Sequence, residues 1–360
     1  MSSNREQWLD IAKGFAILLV VLGHVLIGFL TAEMYPQYTN GLNYVVYTIY
    51  SFHMPLFFAI SGYLYGRYED RATPEKAKEV LIKKLIRLGI PFVLFSWIQG
   101  LLHLVLNKYT NRYFDPFRFI KMYASPFDQF WFIYALLAIF ILIARMEIAF
   151  RKDALIFGIL VILKCLPSLF NVHVPLPFVE WFMAYGLYFY AGTLVARHAQ
   201  PLLKHPFLMG LAGLTYLPLN LLFYNENTME AVRGNLAPLD ATLASVLLAF
   251  SGILLTLFVV KTLFLTVRWN NAIFSWLGMF SFEIYLLHTM PSAAVRIVLQ
   301  KLLHTNNLAL HLSAAMIVGI LFPVLIGWWA RHNKTIDFMF YPGKYLKLPK
   351  RPKTDSALPA

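Results

Sequence analysis

Only one cysteine, Cys165, occurs in the 360 residues, which excludes an intramolecular disulfide, a CxxC redox pair and a thiolate metal cluster. Charge is also scarce: 14% of residues are Asp, Glu, Lys or Arg, where a typical soluble domain has about 25%. The chain has no GxxxxGK(S/T) phosphate loop, no HExxH zinc helix and no GxSxG nucleophile elbow. No internal repeat suggests a carrier built from two matching halves. Low-complexity sequence is missing apart from a basic C-terminal stretch, and no bound metal is expected.

What is abundant is apolar sequence. Hydrophobic residues make up 59% of the chain. Apolar runs of the length that crosses a bilayer, about 20 residues, recur at 8–30, 43–66, 84–106, 130–146, 154–170, 178–196, 207–224, 240–260, 272–290 and 310–330. These predict an all-α integral membrane protein, a polytopic bundle of about ten transmembrane helices. Pro167, Pro175 and Pro177 interrupt the fifth and sixth runs. Residues 1–340 read as one membrane-embedded domain and 341–360 as a basic cytoplasmic tail. Asp10, Lys13 and His24 within the first run mark it as a retained span rather than a cleaved leader.

Orientation follows from the basic residues. With the N-terminus cytoplasmic, 21 Lys and Arg fall in inside segments, 7 in outside segments, and Lys13, Arg87 and Lys164 within spans. Both termini are therefore expected to be cytoplasmic. The exceptional outside loop, with Lys108, Arg112, Arg118 and Lys121, is expected to be re-entrant or to lie on the surface. This bias and the tail account for the net charge of +13, so the basic partner expected is membrane lipid and no nucleic acid is implied.

Three ionisable residues share one stripe of the first predicted helix. At about 100° per residue, Lys13 and His24 point within roughly 20° of each other, and Asp10 lies roughly 40° from His24. His24 sits roughly 16 Å further along the axis than Lys13. Such a stripe must face protein or water rather than lipid. His53, in the second span, lies at a depth within about 6 Å of His24, so the two imidazoles are expected to share a cavity. Pro55 frees the Ser51 carbonyl and predicts a kink beside His53. Gly62 and Gly66 predict a helix contact.

The third span opens Lys83-Lys84-Leu-Ile-Arg87-Leu-Gly-Ile-Pro91. Lys84 and Arg87 project from one face at the cytoplasmic boundary, either as flanking cations or as an anion site, and Pro91 removes the partner of the Arg87 carbonyl. In the ninth span Ser281 and His288 face the same way, and Glu283 points roughly 140° from His288 toward a different neighbour. Glu283 is read either as a buried ion-pair member or as a functional group. Trp131 is either an interfacial aromatic or part of an outer substrate mouth. His103, His173, His198, His205, His304, His311 and His332 fall near span ends or in loops and read as unremarkable.

Taken together, Trp8-LDIAKGFAILLVVLGH-His24, Ser51-FHMPLFFAISGYLYG-Gly66, Lys84-LIRLGIP-Pro91, Phe130-WFIYALL and Ser281-FEIYLLH-His288 resemble the bacterial acyltransferase family 3 of integral membrane proteins. The nearest resemblance is to its fucose 4-O-acetylase-like branch. The resemblance implies an inner-membrane enzyme that moves an acyl group, usually acetyl from cytoplasmic acetyl-CoA, onto a hydroxyl of a sugar or glycan. It implies that His24 is the essential histidine of the first span and that Arg87 is the second basic residue of an RxxR motif. Lys13 and Lys84 stand where many members have Arg, offering a point charge in place of a bidentate fork.

On that reading Lys13, Lys84 and Arg87 hold the CoA phosphates. His24 acts as general base or as transient acyl carrier, both within the range of imidazole chemistry. His53 is its catalytic partner or an acceptor-hydroxyl ligand, and Asp10, Trp131, Glu283 and His288 are acceptor-side candidates. A multi-span transporter or flippase of a saccharide or anionic metabolite is the alternative, since intramembrane His and Glu also suit a proton-coupled carrier.

Overall fold

A computed structural model describes residues 7–68, 73–106, 115–122, 126, 128–200, 205–262 and 271–346. Lys108, Arg112 and the tail beyond residue 346 lie outside the described residues. In chain order the helices are α1 (Gln7–Thr31), α2 (Thr39–Tyr50), α3 (His53–Tyr68), α4 (Pro74–Lys84), α5 (Ile90–Leu106), α6 (Arg118–Lys121) and α7 (Trp131–Phe150). They continue as α8 (Asp153–Phe170), α9 (Pro177–His198), α10 (Pro206–Leu214), α11 (Tyr216–Leu222), α12 (Glu226–Arg233) and α13 (Leu239–Val259). The last five are α14 (Asn271–Met279), α15 (Ser281–Leu287), α16 (Thr289–Ile297), α17 (Leu308–Ala330) and α18 (Lys334–Phe340). Among the described residues there is no strand.

Seven helical segments are long and apolar enough to cross a membrane: 7–31, 36–67, 77–105, 128–150, 153–170, 239–262 and 308–330. The three other expected positions are helical but differ in kind. The sixth, α9, is 22 residues long and carries Glu180 and Arg197, which make it less apolar. The seventh is divided between α10 and α11. The ninth is broken into α14, α15, α16 and a π-helical turn, Val298–Leu302.

Helix α1 runs through the middle, packed against α2, α3, α14, α15, α16 and α17. The ionisable stripe of this helix is therefore surrounded by protein, which is how its polar groups are kept from lipid. Gly14 and Gly278 bring α1 and α14 into backbone contact: a Cβ at Gly14 would collide with the Phe274 carbonyl, and one at Gly278 with the Asp10 carbonyl. Helices α3 and α9 cross the same way. A Cβ at Gly62 would strike the Phe189 carbonyl, and one at Gly192 the Ala59 carbonyl. Thr193 Oγ1 donates to the Gly62 carbonyl at 3.0 Å. Without a hydrophobic drive inside lipid, such close approach is what holds helices together.

Prolines set the breaks. Pro55 cannot donate to Ser51, and the second span is interrupted at Ser51–Phe52. Pro291 likewise cannot donate to Leu287, and the chain bends at His288. Before Pro91 the helix widens into a π-helical turn, Leu85–Gly89, in which the Ile90 N–H donates to the Leu85 carbonyl five residues back.

One end of the bundle is rich in cations and ion pairs. Arg197 Nη1 lies 2.6 Å from Glu147 Oε1 and 3.7 Å from Asp153, Tyr65 donates to Glu147 at 2.9 Å, and Tyr190 to Asp153 at 2.8 Å. Helix α18 and residues 342–346 fold back onto this basic end. Lys344 Nζ and the Tyr345 hydroxyl both reach Asp337, at 2.8 and 2.9 Å, and Pro342 is buried.

Candidate active site

The site starts from how a helix holds a histidine. His24 Nδ1 lies 2.9 Å from the Val20 carbonyl, His53 Nδ1 2.8 Å from that of Ile49, and His288 Nδ1 2.9 Å from that of Ile284. A carbonyl oxygen only accepts, so each Nδ1 donates its hydrogen. The neutral ring then carries its lone pair on Nε2, the form that takes a proton. Three helices thus present three imidazoles in one tautomer.

The three rings converge. The His24 ring lies 4.9 Å from that of His288, centroid to centroid, and 6.5 Å from that of Tyr50. Tyr50 in turn lies 4.6 Å from His53. A Cβ at Gly23 would meet the Tyr50 ring at 2.8 Å, so the glycine beside His24 lets this tyrosine approach α1. His53 and His288 are buried, at 1% and 0% exposure, whereas His24 retains partial exposure. His288 Nε2 is buried and makes no hydrogen bond. Tyr50 had no signal in the sequence, being one of 20 tyrosines; only the break at Ser51, which sets Tyr50 and His53 on either side of it, brings it into place.

At the basic end, Lys13 Nζ lies 4.0 Å from Asp10, which is buried against α14. Asp10 therefore stands with Lys13 and not with the histidines. Lys84 Nζ sits over the Phe140 ring at 4.4 Å. The Arg87 side chain packs against Gly343, whose Cβ would come within 2.9 Å of Arg87 Cγ. Lys84 and Arg87 thus contact different elements despite their spacing of three, because the π turn begins between them. No carboxylate pairs with Arg87 among the described residues.

Glu283 is fully buried and turned away from the histidines: its Oε1 accepts from the Tyr341 hydroxyl at 2.7 Å and lies 3.9 Å from Arg331. Of the two readings of this residue, the geometry is that of a buried pair linking α15 to the folded-back segment. The Ser281 hydroxyl turns back to donate to the Gly278 carbonyl at 2.8 Å. Trp131 stacks in an aromatic group with Trp181 and Tyr185, at 5.8 and 5.3 Å. Tyr185 is within electrostatic reach of Tyr50, so this group borders the histidine cluster without joining it.

At the end of the bundle opposite Lys13, Lys84 and Arg87 lies a second polar group with no counterpart in the sequence analysis. Gln99 and Gln129 exchange side-chain amide bonds at 2.8 and 3.3 Å. Asp128 Oδ2 accepts from Gln99 Nε2 at 2.7 Å and from His103 Nε2 at 3.0 Å. Thr289 Oγ1, next in sequence to His288, donates to Gln129 at 3.3 Å. His103 is therefore part of a built network, and so is His311, which is buried with Nδ1 2.8 Å from the Tyr35 hydroxyl. The available signal was Gln99, an uncharged polar residue inside an apolar run. Among the described residues no group of His, Cys, Asp and Glu is arranged to hold a metal.

Residues 6–328 match the acyltransferase family 3 model, described as an acyltransferase domain. Two curated relatives are the nodulation protein NolL of Mesorhizobium japonicum and NolL of Sinorhizobium fredii. The first is 30% identical over 149 residues, covering 39% of this chain and 36% of the relative. The second is 27% identical over 216 residues, covering 58% of this chain and 54% of the relative. The chain thus matches about a third to a half of the length of these relatives. No solved structure matches. The family match spans the first-span histidine, the kinked second span, the basic third span and the broken ninth span, and the chain belongs to the acyltransferase 3 family of membrane proteins.

Proposed function

We propose that this protein is an O-acetyltransferase of the bacterial inner membrane that moves acetyl from acetyl-CoA to a sugar hydroxyl of a surface glycan or its precursor. The observation that supports this most is that His24, on the helix whose other end carries Lys13, lies against both His288 and Tyr50, with His53 on the far side of Tyr50. On this reading the donor reaches the basic end from the cytoplasm. Its phosphates meet Lys13, Lys84 and Arg87, which supply charge-assisted contacts. The pantetheine arm then runs along α1 toward His24, roughly 16 Å away along the helix axis.

The acceptor hydroxyl attacks the thioester carbonyl as its proton passes to His24 Nε2. Collapse of the tetrahedral intermediate breaks the carbon–sulfur bond, and the departing thiolate takes the proton back from the imidazolium. His24 suits the role of base because it is the partly exposed member of the cluster with Nδ1 already committed to Val20. His288, 4.9 Å away and buried, keeps the surroundings of that proton fixed.

The test is transfer of radiolabelled acetyl from acetyl-CoA into the glycan fraction of membranes that carry the protein, followed by mass spectrometry of the product. Acetylated glycan with the intact protein and none with His24→Ala is expected. Intact acetyl-CoA after incubation, with a saccharide moved across the bilayer instead, would establish a carrier and overturn the proposal.

A further inference from the structure

The polar group at the non-basic end is more elaborate than helix packing requires. Gln99 is 4% exposed and Gln129 1% exposed. Buried amides inside an apolar bundle are unfavourable unless fully bonded, and these two are bonded to each other, to Asp128 and to the backbone. Gln129 Nε2 also donates to the Leu286 carbonyl at 3.2 Å, and the Tyr285 hydroxyl donates to the Gln129 carbonyl. The turn that carries Asp128 is thereby fixed to α15, two residues before the bend at His288. Asp128 itself has φ of 51°, the left-handed region that most residues avoid and that Asp tolerates.

That effort presents one carboxylate. Both hydrogen bonds to Asp128 go to Oδ2, from Gln99 and His103; Oδ1 has none among the described residues. The side chain is 40% exposed. Asp128 is also close enough to His24 to act on it electrostatically. A fixed carboxylate with one oxygen unused, open at its rim and joined through Gln129 and Thr289 to the residue beside His288, is suited to accept a hydrogen bond from a neutral polyol.

We infer that Asp128 binds a hydroxyl of the acceptor, which enters from the end opposite the donor. This rests on the acetyl-transfer reading above and names its acceptor-side contact. Gln99 and His103 hold the carboxylate in place, so they are positioning residues.

The test uses the protein in lipid nanodiscs with acetyl-CoA as donor and two acceptor probes: the methyl glycosides of glucose and fucose. CoA release stimulated by acceptor is measured against both substrates. A hydrogen bond to a charged group is worth a factor of about ten or more in affinity. Asp128→Asn is therefore expected to raise KM for the neutral glycosides about tenfold or more while leaving KM for acetyl-CoA where it was. His103→Gln is expected to do the same more weakly.

An unchanged acceptor KM in both variants would overturn the assignment and leave the acetyltransferase reading standing. Equal rises in the KM for donor and acceptor, the mark of a merely structural role, would also overturn it. A native protein that neither cleaves the thioester nor responds to any glycoside would overturn the underlying reading together with this one.

Discussion

The ring of His24 meets the ring of His288 edge-on, 4.9 Å between centroids at an interplanar angle of 77°. These residues lie 264 positions apart in sequence, one inside the unbroken helix α1 and the other at a bend caused by Pro291. Two imidazoles that close influence each other's protonation, since a charge on one disfavours a charge on the other. With each Nδ1 tied to its own helix, a proton arriving at the cluster is confined to the Nε2 positions.

His24→Ala is expected to insert and fold normally and to lose transfer by a factor of about 100 to 10,000, the range typical of a general base. The check is acetyl incorporation into glycan, with expression and detergent-solubilised size profile as the folding control. His24→Ala with native rates would remove the proposed base.

Lys84→Ala and Arg87→Ala are expected to raise the KM for acetyl-CoA several-fold each with little change in acceptor KM. The loss should deepen as ionic strength rises, because the remaining cations are partly solvated and screened. Initial rates at low and high salt provide the measurement. Arg87→Lys should recover only part of the affinity, as a point charge replaces the planar fork.

Gly62→Leu is expected to lower stability by about 1–3 kcal/mol or to prevent accumulation, because its side chain would have to displace the Phe189 carbonyl. Gly158→Ala, where a new Cβ meets nothing within 4 Å, is the matching control. Thermal unfolding of the two purified variants in detergent would separate close packing from a generic loss of glycine.

Tyr341→Phe is expected to release the folded-back segment, since Glu283 then loses its 2.7 Å donor and keeps only Arg331 at 3.9 Å. The lost bond to a buried carboxylate is worth about 1.5–3 kcal/mol. Faster proteolytic cleavage within 331–346 is the readout. Because Gly343 packs on Arg87, a higher KM for acetyl-CoA is expected alongside it. Unaltered cleavage would mean that other contacts hold the segment.

Much of the donor side could be read from spacing. The stripe joining Lys13 to His24 follows from helical periodicity alone, the break at Ser51 follows from Pro55, and the contact made by Gly62 and Gly66 follows from their spacing of four. These are local properties, set by residues within a turn or two of each other. Tyr50, His288 and Asp128 are different in kind. Their places depend on which helices lie beside α1, and nothing within a few residues of each encodes that. The π turn at Leu85–Gly89 is intermediate: Pro91 announces that the hydrogen-bond ladder fails there, but not that the helix widens and sends Lys84 and Arg87 to different neighbours. The broken ninth span was missed for a similar reason, since its apolar composition reads as continuous while Pro291 and the turn at Phe280 divide it.

The folded-back segment also bears on the order in which the protein is made. His24 and Lys13 leave the ribosome well before Tyr341 and Gly343, which pack on the basic end. The basic end is thus finished only late in translation, after the histidines are in the bilayer. A chain stalled between them would carry its imidazoles without the contacts that complete the surroundings of Arg87.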